Sequence, residues 1–275
     1  MSRPNDKGKI VEHYDTVSPY YLKLWGEHLH HGYWIRGDES KEQAQLQLIE
    51  RLAGLAKIPP GAEILDIGCG FGGSSLYLAR TFQASVTGIN LSPAQVEIAN
   101  QKAREQGANA RFVLMDAEAM NFPGQFDVLW SVESISHYYD VAGFFTSAAR
   151  YLKPGGTFAL TDFFKKKELS PAENKKYIEP IEKGMFAALH TLDDYEGYLT
   201  SAGLQVEHRE VLNEHTARTW DVCLDIIKDK ALWDLAFKLG PDFVTYLKGF
   251  QAMRAGYSSG TFEYGLLVAR KSGGP

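Results

Sequence analysis

Glu63-Ile64-Leu65-Asp66-Ile67-Gly68-Cys69-Gly70-Phe71-Gly72-Gly73 is the stretch from which the fold can be read. A short apolar run that ends in an acid and a glycine cluster reads as a buried strand entering a tight turn. Ser74 to Arg80 then has helical spacing, so the turn opens onto a helix N-terminus. Glycines there reach backbone angles closed to other residues and let a ligand come close to the main chain. The helix start adds free N–H groups and a field that favours an anionic ligand group.

Downstream, strand and helix patterns alternate. Ala84 to Asn90 reads as a second strand, and Ser92 starts a helix with Pro93 in its first position and Gln95 in its first turn. Arg111 to Asp116 is a third strand, and Phe126 to Val132 a fourth. Asp140 to Leu152 is helical, Lys153-Pro154-Gly155-Gly156 is a sharp turn, and Thr157 to Phe163 is a fifth strand. This alternation predicts an α/β, doubly wound, mostly parallel sheet with helices on both faces. Ligands of such sheets bind at the carboxyl ends of the strands, beside the topological switch point, where the glycine turn sits.

Upstream, residues 9–25 carry apolar and aromatic residues at helical spacing, and Gly26 to Trp34 is dense in imidazole and aromatic groups. Glu39 to Ala56 is an amphipathic helix closed by Pro59-Pro60-Gly61. Beyond the fifth strand, residues 165–190 form a charged, partly helical insertion. Leu192 to Ala202 is a helix, Leu204 to Leu212 a strand, residues 214–258 are helical and aromatic-rich (Trp220, Trp233, Phe250), and Gly265 to Ala269 is a last strand. The expected organisation is a helical cover over 1–58, a binding core over 59–164, the insertion over 165–190, more core over 191–213, a helical acceptor cap over 214–258, and a final core strand and tail over 259–275.

The chain has 275 residues, 44% of them hydrophobic and 23% charged, which fits a globular protein with a proper core. Twenty-nine basic against 34 acidic residues give a net charge of −5 with no basic block, so no nucleic-acid partner is expected. Two distant cysteines, Cys69 and Cys223, indicate a reducing compartment without a disulfide framework. No leader and no membrane span are read in the sequence, and a cytoplasmic location is expected. Homo-oligomer formation stays open.

The glycine turn alone is ambiguous. Gly68, Gly70 and Gly73 satisfy the dinucleotide fingerprint, and a tight turn that holds no ligand is the bland alternative. A nicotinamide site usually places an acid about twenty residues on, to hold the ribose hydroxyls. Asn90 ends the second strand instead. Asp66, before the first glycine, can accept hydrogen bonds from the turn or from a ligand.

Taken together, Asp66-Ile-Gly-Cys-Gly-Phe-Gly-Gly, Gly88-Ile-Asn-Leu-Ser-Pro, Met115-Asp-Ala-Glu, Phe126-Asp-Val-Leu-Trp-Ser and Leu152-Lys-Pro-Gly-Gly resemble, in order and spacing, the motifs of class I S-adenosylmethionine-dependent methyltransferases. Trp25-Gly-Glu-His-Leu-His-His-Gly-Tyr-Trp and Val132-Glu-Ser-Ile-Ser-His resemble the γ-tocopherol methyltransferase group, with cyclopropane synthases as cousins. The resemblance covers nearly the whole chain and implies a seven-stranded Rossmann-like sheet with a helical cap. S-adenosyl-L-methionine is the implied cofactor. Gly68, Cys69 and Gly70 would face its methionine part and Asp66 its amino group. Asn90 and Gln95 would meet the ribose, Leu91 would lie against the adenine, and Asp116, Ala117 and Glu118 would hold the adenine edge. Ser131 would close the site.

His28, His30 and His31 are conceivable metal ligands, but no acid or cysteine cluster supports them, so no metal is expected. Tyr14, Tyr33 and Trp34 read instead as part of a cover, their rings offering faces to the sulfonium or the acceptor. Methyl transfer is an in-line displacement that needs alignment and exclusion of water, with a base only if the acceptor must lose a proton. His137 is the first candidate base, followed by His31 and Glu133, with a structural histidine as the alternative. Cyclopropane synthases carry a glutamate before the matching histidine. Ser136 stands there, which argues against lipid cyclopropanation. Trp220 and Phe250 suggest a small apolar or aromatic acceptor, with carbon, oxygen and nitrogen all open. The expected function is a small-molecule methyltransferase. The alternatives are a nicotinamide-dependent oxidoreductase and a non-catalytic S-adenosylmethionine-binding protein.

Overall fold

Strand β1 (Glu63–Ile67) is buried along its length except at Glu63 and is an interior strand of the sheet. It pairs in parallel with β2 (Ser85–Asn90) on one side and with β4 (Phe126–Val132) on the other. Beyond β2 lies β3 (Ala110–Leu114), and beyond β4 lies β5 (Leu152–Lys165), both again parallel. The chain winds outward from β1 to β3, then crosses back to β4, so the switch point falls between β1 and β4.

The structure is a computed structural model that describes residues 6–226, 229 and 231–273, with the side chains of 226, 231 and 233 excluded. Trp233, one of the aromatic residues read in the cap, is therefore placed by its backbone alone, and the first residues of the N-terminal stretch lie outside the described part. The described strands form one seven-stranded sheet in the order β3-β2-β1-β4-β5-β7-β6. Strand β7 (Phe262–Lys271) enters between β5 and β6 (Leu204–Val211), antiparallel to both. The sheet is thus mostly parallel, with a reversed strand near one edge.

Helices cover both faces. On one, α2 (Lys41–Ala56) and α3 (Gly73–Phe82) share a core with β1 and β4 through Leu48, Leu52, Leu78 and Trp130. On the other, α5 (Val141–Ala148) and α8 (Leu192–Ser201) pack Phe144, Phe145, Tyr195 and Leu199 against Leu129 and Phe158. Helix α2 starts two residues later than the reading from Glu39, because Ser40 caps it and Gln43 closes a capping box. Helix α4 (Pro93–Gln106) starts at the Ser92 cap with Pro93 in its first position, as expected.

Lys153-Pro154-Gly155-Gly156 is not a turn between elements. It bulges within β5, where Leu152 pairs with Phe126 and Thr157 already pairs with Val128. Pro154 has no N–H for the ladder and Gly155 takes a φ of +75°, so the segment bows out of the pairing and rejoins it.

The cover over the carboxyl ends of the strands has several parts. Helix α1 (Lys7–Leu24) lies across the β2 and β3 side. Residues 171–185 form one helical rod, α6 (Pro171–Glu173) and α7 (Glu179–Met185) joined by a π-helical turn. After β6 come α9 (Asn213–Thr216), α10 (Arg218–Ile226), α11 (Ala231–Leu239) and α12 (Pro241–Ser259). Helices α7 and α12 approach closely at Gly184 and Gly249, where a β-carbon on Gly184 would stand 2.8 Å from the Gly249 Cα. No helix among the described residues is long and apolar enough to cross a membrane.

Candidate active site

A cavity of about 210 Å³ opens where β1, β2 and β4 end, between the sheet and its helical cover. Its floor is the glycine turn. The Gly68 and Cys69 N–H groups bond to the Ile89 carbonyl at 2.9 and 3.1 Å, and Gly72 N–H closes the turn on the Cys69 carbonyl at 2.9 Å. Gly68, at φ +78°, has no room for a side chain, because a β-carbon there would collide with Ser134 Oγ at the end of β4. Gly70, at φ +53°, differs: a β-carbon would meet only Leu29 Cδ1, at 3.9 Å, and would extend into open space. The first glycine lets the strand ends meet, and the second leaves a hollow.

Asp66 lines the same cavity, 2% exposed, with its Oδ2 accepting from Ser75 Oγ at 2.6 Å. Burial pushes its carboxyl up to about 7, and the Ser75 bond only partly opposes that. Asn90 and Leu91 line the cavity at the end of β2 with Gln95 and Ala117. Asn90 Nδ2 donates to Gln95 Oε1 at 2.6 Å, and Gln95 Nε2 donates to Ser18 Oγ of α1 at 3.1 Å.

Asp116 and Glu118 stand at the rim and do not line the cavity. Lys7 of α1 pairs with both, at 2.6 and 2.8 Å. Ser92 Oγ donates to Asp15, so α1 is tied at Lys7, Asp15 and Ser18 across the ends of β2 and β3. Ser131 does not reach the site either. It is fully buried within the sheet, its hydroxyl donating to the Ile67 carbonyl at 3.2 Å.

Toward the far end of the cavity stands a polar cluster. Glu133, just after β4, takes a φ of +53° that only a constrained non-glycine residue holds. Its Oε1 accepts from the His31 backbone N–H at 2.6 Å, from His31 Nδ1 at 3.1 Å and from the Tyr264 hydroxyl at 2.7 Å. Burial alone would raise this carboxyl, but the His31 ring and backbone N–H outweigh it and hold the pKa below the usual range. His137 has both ring nitrogens engaged, Nδ1 with the Phe186 carbonyl at 3.1 Å and Nε2 with the Tyr14 hydroxyl at 3.1 Å. Burial lowers the His137 pKa despite the Phe186 carbonyl and Glu133, and burial raises that of the Tyr14 phenol.

The rest of the wall is apolar and aromatic, with Trp220, Phe250, Tyr246, Phe243 and Phe163 lining it. Trp220 meets Phe250 edge to face at 5.2 Å and meets the His31 ring at 5.1 Å. Tyr33 and Trp34 are not part of this wall. Tyr33 stacks on His215 at 4.4 Å, outside the cavity lining, and Trp34 is buried with its indole N–H on the Glu39 carbonyl at 3.3 Å. Their chain runs onto α2 and α9 instead, with Tyr33 N–H on the Ala44 carbonyl and Trp34 N–H on that of His215. His28, His30 and His31 do not converge, and among the described residues no group of three such side chains could hold a metal ion.

Tyr264, Lys7, Asp15 and Ser18 belong to this arrangement and were not singled out in the sequence. Tyr264 stands just before the strand read over Gly265 to Ala269 and falls inside the longer observed strand, Phe262–Lys271. The other three face their partners only once α1 has folded over the sheet.

The sequence profile of the mycolic acid cyclopropane synthetase family matches residues 2–258. The chain belongs to that family. The 27-O-demethylrifamycin SV methyltransferase of Amycolatopsis mediterranei is 35% identical over 98% of this chain and 97% of its own length. The chloroplastic tocopherol O-methyltransferase of Arabidopsis thaliana is 29% identical over 95% of this chain and 81% of its own. Among solved structures, the [4+2]-cyclase SpnF superposes with a TM-score of 0.85 at 26% identity, over 98% of this chain and 97% of that one. The protein is therefore an S-adenosylmethionine-dependent methyltransferase of the small-molecule type, and the oxidoreductase alternative finds no support.

Proposed function

We propose that the cavity binds S-adenosylmethionine at its glycine end and a small apolar, aromatic acceptor at its Trp220 end. The observation that carries this is continuity: Asp66, Gly70, Glu133, His137, Trp220 and Phe250 all line one space. The residues fit the cofactor. Gly70 leaves a hollow that a side chain would fill, and Asp66 is a buried carboxyl whose one hydrogen-bonding side chain is a neutral serine. A ligand ammonium would supply the missing counter-charge. Gly68, Cys69 and Gly70 hold the amino-acid part by their backbone, Asn90 and Gln95 the ribose, and Leu91 with Ala117 the adenine face. Asp116 and Glu118 take the adenine edge once Lys7 yields them.

When bound, S-adenosylmethionine would supply an electrophilic methyl group. The protein's own part is to orient and to keep water out. The buried aromatic wall excludes water, and α1 covers the cofactor end. Tyr14, a neutral phenol donating to His137, fixes the cover against the end of β4. Ser136 occupies the place of the cyclopropane synthases' glutamate, which supports methylation over cyclopropanation. Cys69 and Cys223, both free and buried, fit a reducing, cytoplasmic setting, and the net charge of −5 fits a small-molecule rather than a nucleic-acid partner.

The test is a screen of apolar phenols, hydroquinones and amines with isotopically labelled S-adenosylmethionine, reading labelled product and S-adenosylhomocysteine together. Stoichiometric appearance of both is expected. An unlabelled product without S-adenosylhomocysteine would point to non-transfer chemistry of the kind named for SpnF, and neither product would refute the acceptor assignment.

A further inference from the structure

Four imidazoles line the cavity, those of His28, His30, His31 and His137, in different electrostatic settings. Glu133 Oε1 already accepts from the His31 backbone N–H and from the Tyr264 hydroxyl, so it stands as an acceptor, and the facing His31 Nδ1 carries the hydrogen that it donates there. In the neutral ring with that tautomer the lone pair lies on Nε2. This atom is buried, without a hydrogen-bond partner in the protein, on a residue that lines the cavity beside Trp220 and Phe163. An acceptor atom left unsatisfied in such a site calls for a ligand donor.

The other imidazoles do not share this setting. His137 Nε2 already accepts from Tyr14, and its Nδ1 is spent on the Phe186 carbonyl. His30 also has a partnerless Nε2, but its Nδ1 is backed only by the neutral His31 carbonyl, and burial lowers its pKa. His28 packs toward the glycine turn, near Gly73 and 5.2 Å from the His30 ring, and burial lowers its pKa to about 3. Only His31 combines a free lone pair, a carboxylate behind it and a place at the aromatic wall. Glu133 is itself fixed, by Tyr264, whose hydroxyl also meets Thr161 Oγ1 at 2.9 Å.

We infer that His31 is the general base of the reaction, that Glu133 with Tyr264 positions it, and that the acceptor atom is the oxygen of a phenolic hydroxyl. This rests on the cavity being the methyl-transfer site. The acceptor O–H bond breaks with its proton going to His31 Nε2. The oxygen's electron pair forms the new O–CH3 bond, and the S–CH3 bond breaks with its pair remaining on sulfur. Glu133 stays ionised throughout and stabilises the imidazolium. A carboxylate backing a neutral imidazole is a familiar way to hold tautomer and orientation for proton abstraction.

The experiment uses two probe phenols, 2-naphthol and the more acidic 4-nitrophenol, with the full chain. Calorimetric titration with S-adenosylhomocysteine comes first. If wild type and variants do not bind it, the site reading fails, and the base assignment with it. With S-adenosylhomocysteine bound, 4-nitrophenol is added and its phenolate absorbance followed against pH. Wild type is expected to show the phenolate at lower pH than free solution does, and His31→Asn to lose that shift. With S-adenosylmethionine, His31→Asn should lower 2-naphthol methylation about 100-fold, the usual worth of a general base, and spare 4-nitrophenol at alkaline pH, where it needs none. Glu133→Gln should move the acid limb of the pH–rate profile, which a merely structural carboxylate would not do. Binding of S-adenosylhomocysteine with no bound-phenolate shift, or equal losses for both phenols, would overturn the assignment while leaving the site intact. Failure of 4-nitrophenol to bind would overturn the phenolic class.

Discussion

Asp66 Oδ2 accepts a 2.6 Å hydrogen bond from Ser75 Oγ at the base of the cavity, and the strand end thereby holds a buried acid against the first turn of α3. A neutral hydroxyl cannot compensate a buried charge, and burial accordingly pushes the carboxyl up to about 7. A ligand ammonium would favour the ionised form. Binding of S-adenosylhomocysteine should therefore weaken as pH falls below 7, by up to about tenfold per pH unit, and release a proton at pH 6. Titrations in buffers of different ionisation enthalpy measure that release. Proton-neutral binding at pH 6 would remove Asp66 from the ammonium site.

Asp162 is another buried acid, held by the Ser136 and Phe163 N–H groups at 2.8 Å each and raised to about 7, chiefly by burial. For Asp66 and Asp162 the folded pKa exceeds the unfolded value. Their contribution to stability is therefore full below the ordinary carboxylate range and is lost as pH rises through about 7. The ligand-free protein should lose this component of its stability between pH 4 and 7. Thermal unfolding of wild type and Asp162→Asn across that range checks it, the variant showing a flatter dependence.

Gly68 and Gly70 make a contrasting pair. Gly68→Ala drives a methyl group into Ser134 as well as paying for a left-handed backbone, so stability and binding should both fall. In Gly70→Ala the methyl points into open space, and the backbone cost is about 1–2 kcal/mol. That variant should fold and bind S-adenosylhomocysteine poorly. Equal effects in both would mean that the hollow holds no ligand.

Lys7→Ala removes the pairing of α1 with Asp116 and Glu118. Such a half-exposed pair is worth no more than about 1 kcal/mol, so the global stability should hardly change. Hydrogen exchange in α1 should quicken, and the association rate of S-adenosylhomocysteine should rise as Asp116 and Glu118 come free. An unchanged rate would show that α1 does not limit access.

Phe250→Leu should raise the KM for the acceptor and leave S-adenosylhomocysteine binding alone, since Phe250 packs on Trp220 at the far wall. Trp34→Phe should act on stability, because Trp34 is buried on Glu39 rather than at the cavity. Steady-state kinetics with melting curves separates the two outcomes.

What was legible in the sequence is what is local. The β1 run, its glycine turn, the Ser92 helix start and the alternation through β5 depend on neighbours a few residues apart. Asp66, Gly70, Asn90 and Gln95 meet at one cavity because parallel pairing brings the turn and the β2 end together. Tyr33 and Trp34 went astray because aromatic density does not say which way a loop turns. Here hydrogen bonds to Ala44 and His215 draw it onto α2 and α9. Ser131 went astray by register: one residue inside β4, its hydroxyl serves the sheet. The reversed β7, which carries Tyr264 to Glu133, joins residues 131 apart in the chain, and no local pattern reports such a contact.

The central claim, that the cavity lined by Asp66 is the S-adenosylmethionine site of a methyltransferase, is tested most directly by calorimetric titration of wild type and Asp66→Ala with S-adenosylhomocysteine. One equivalent bound with micromolar affinity by wild type, and severely weakened in the variant, is the predicted result. No binding to wild type, or equal affinity in both, would contradict it.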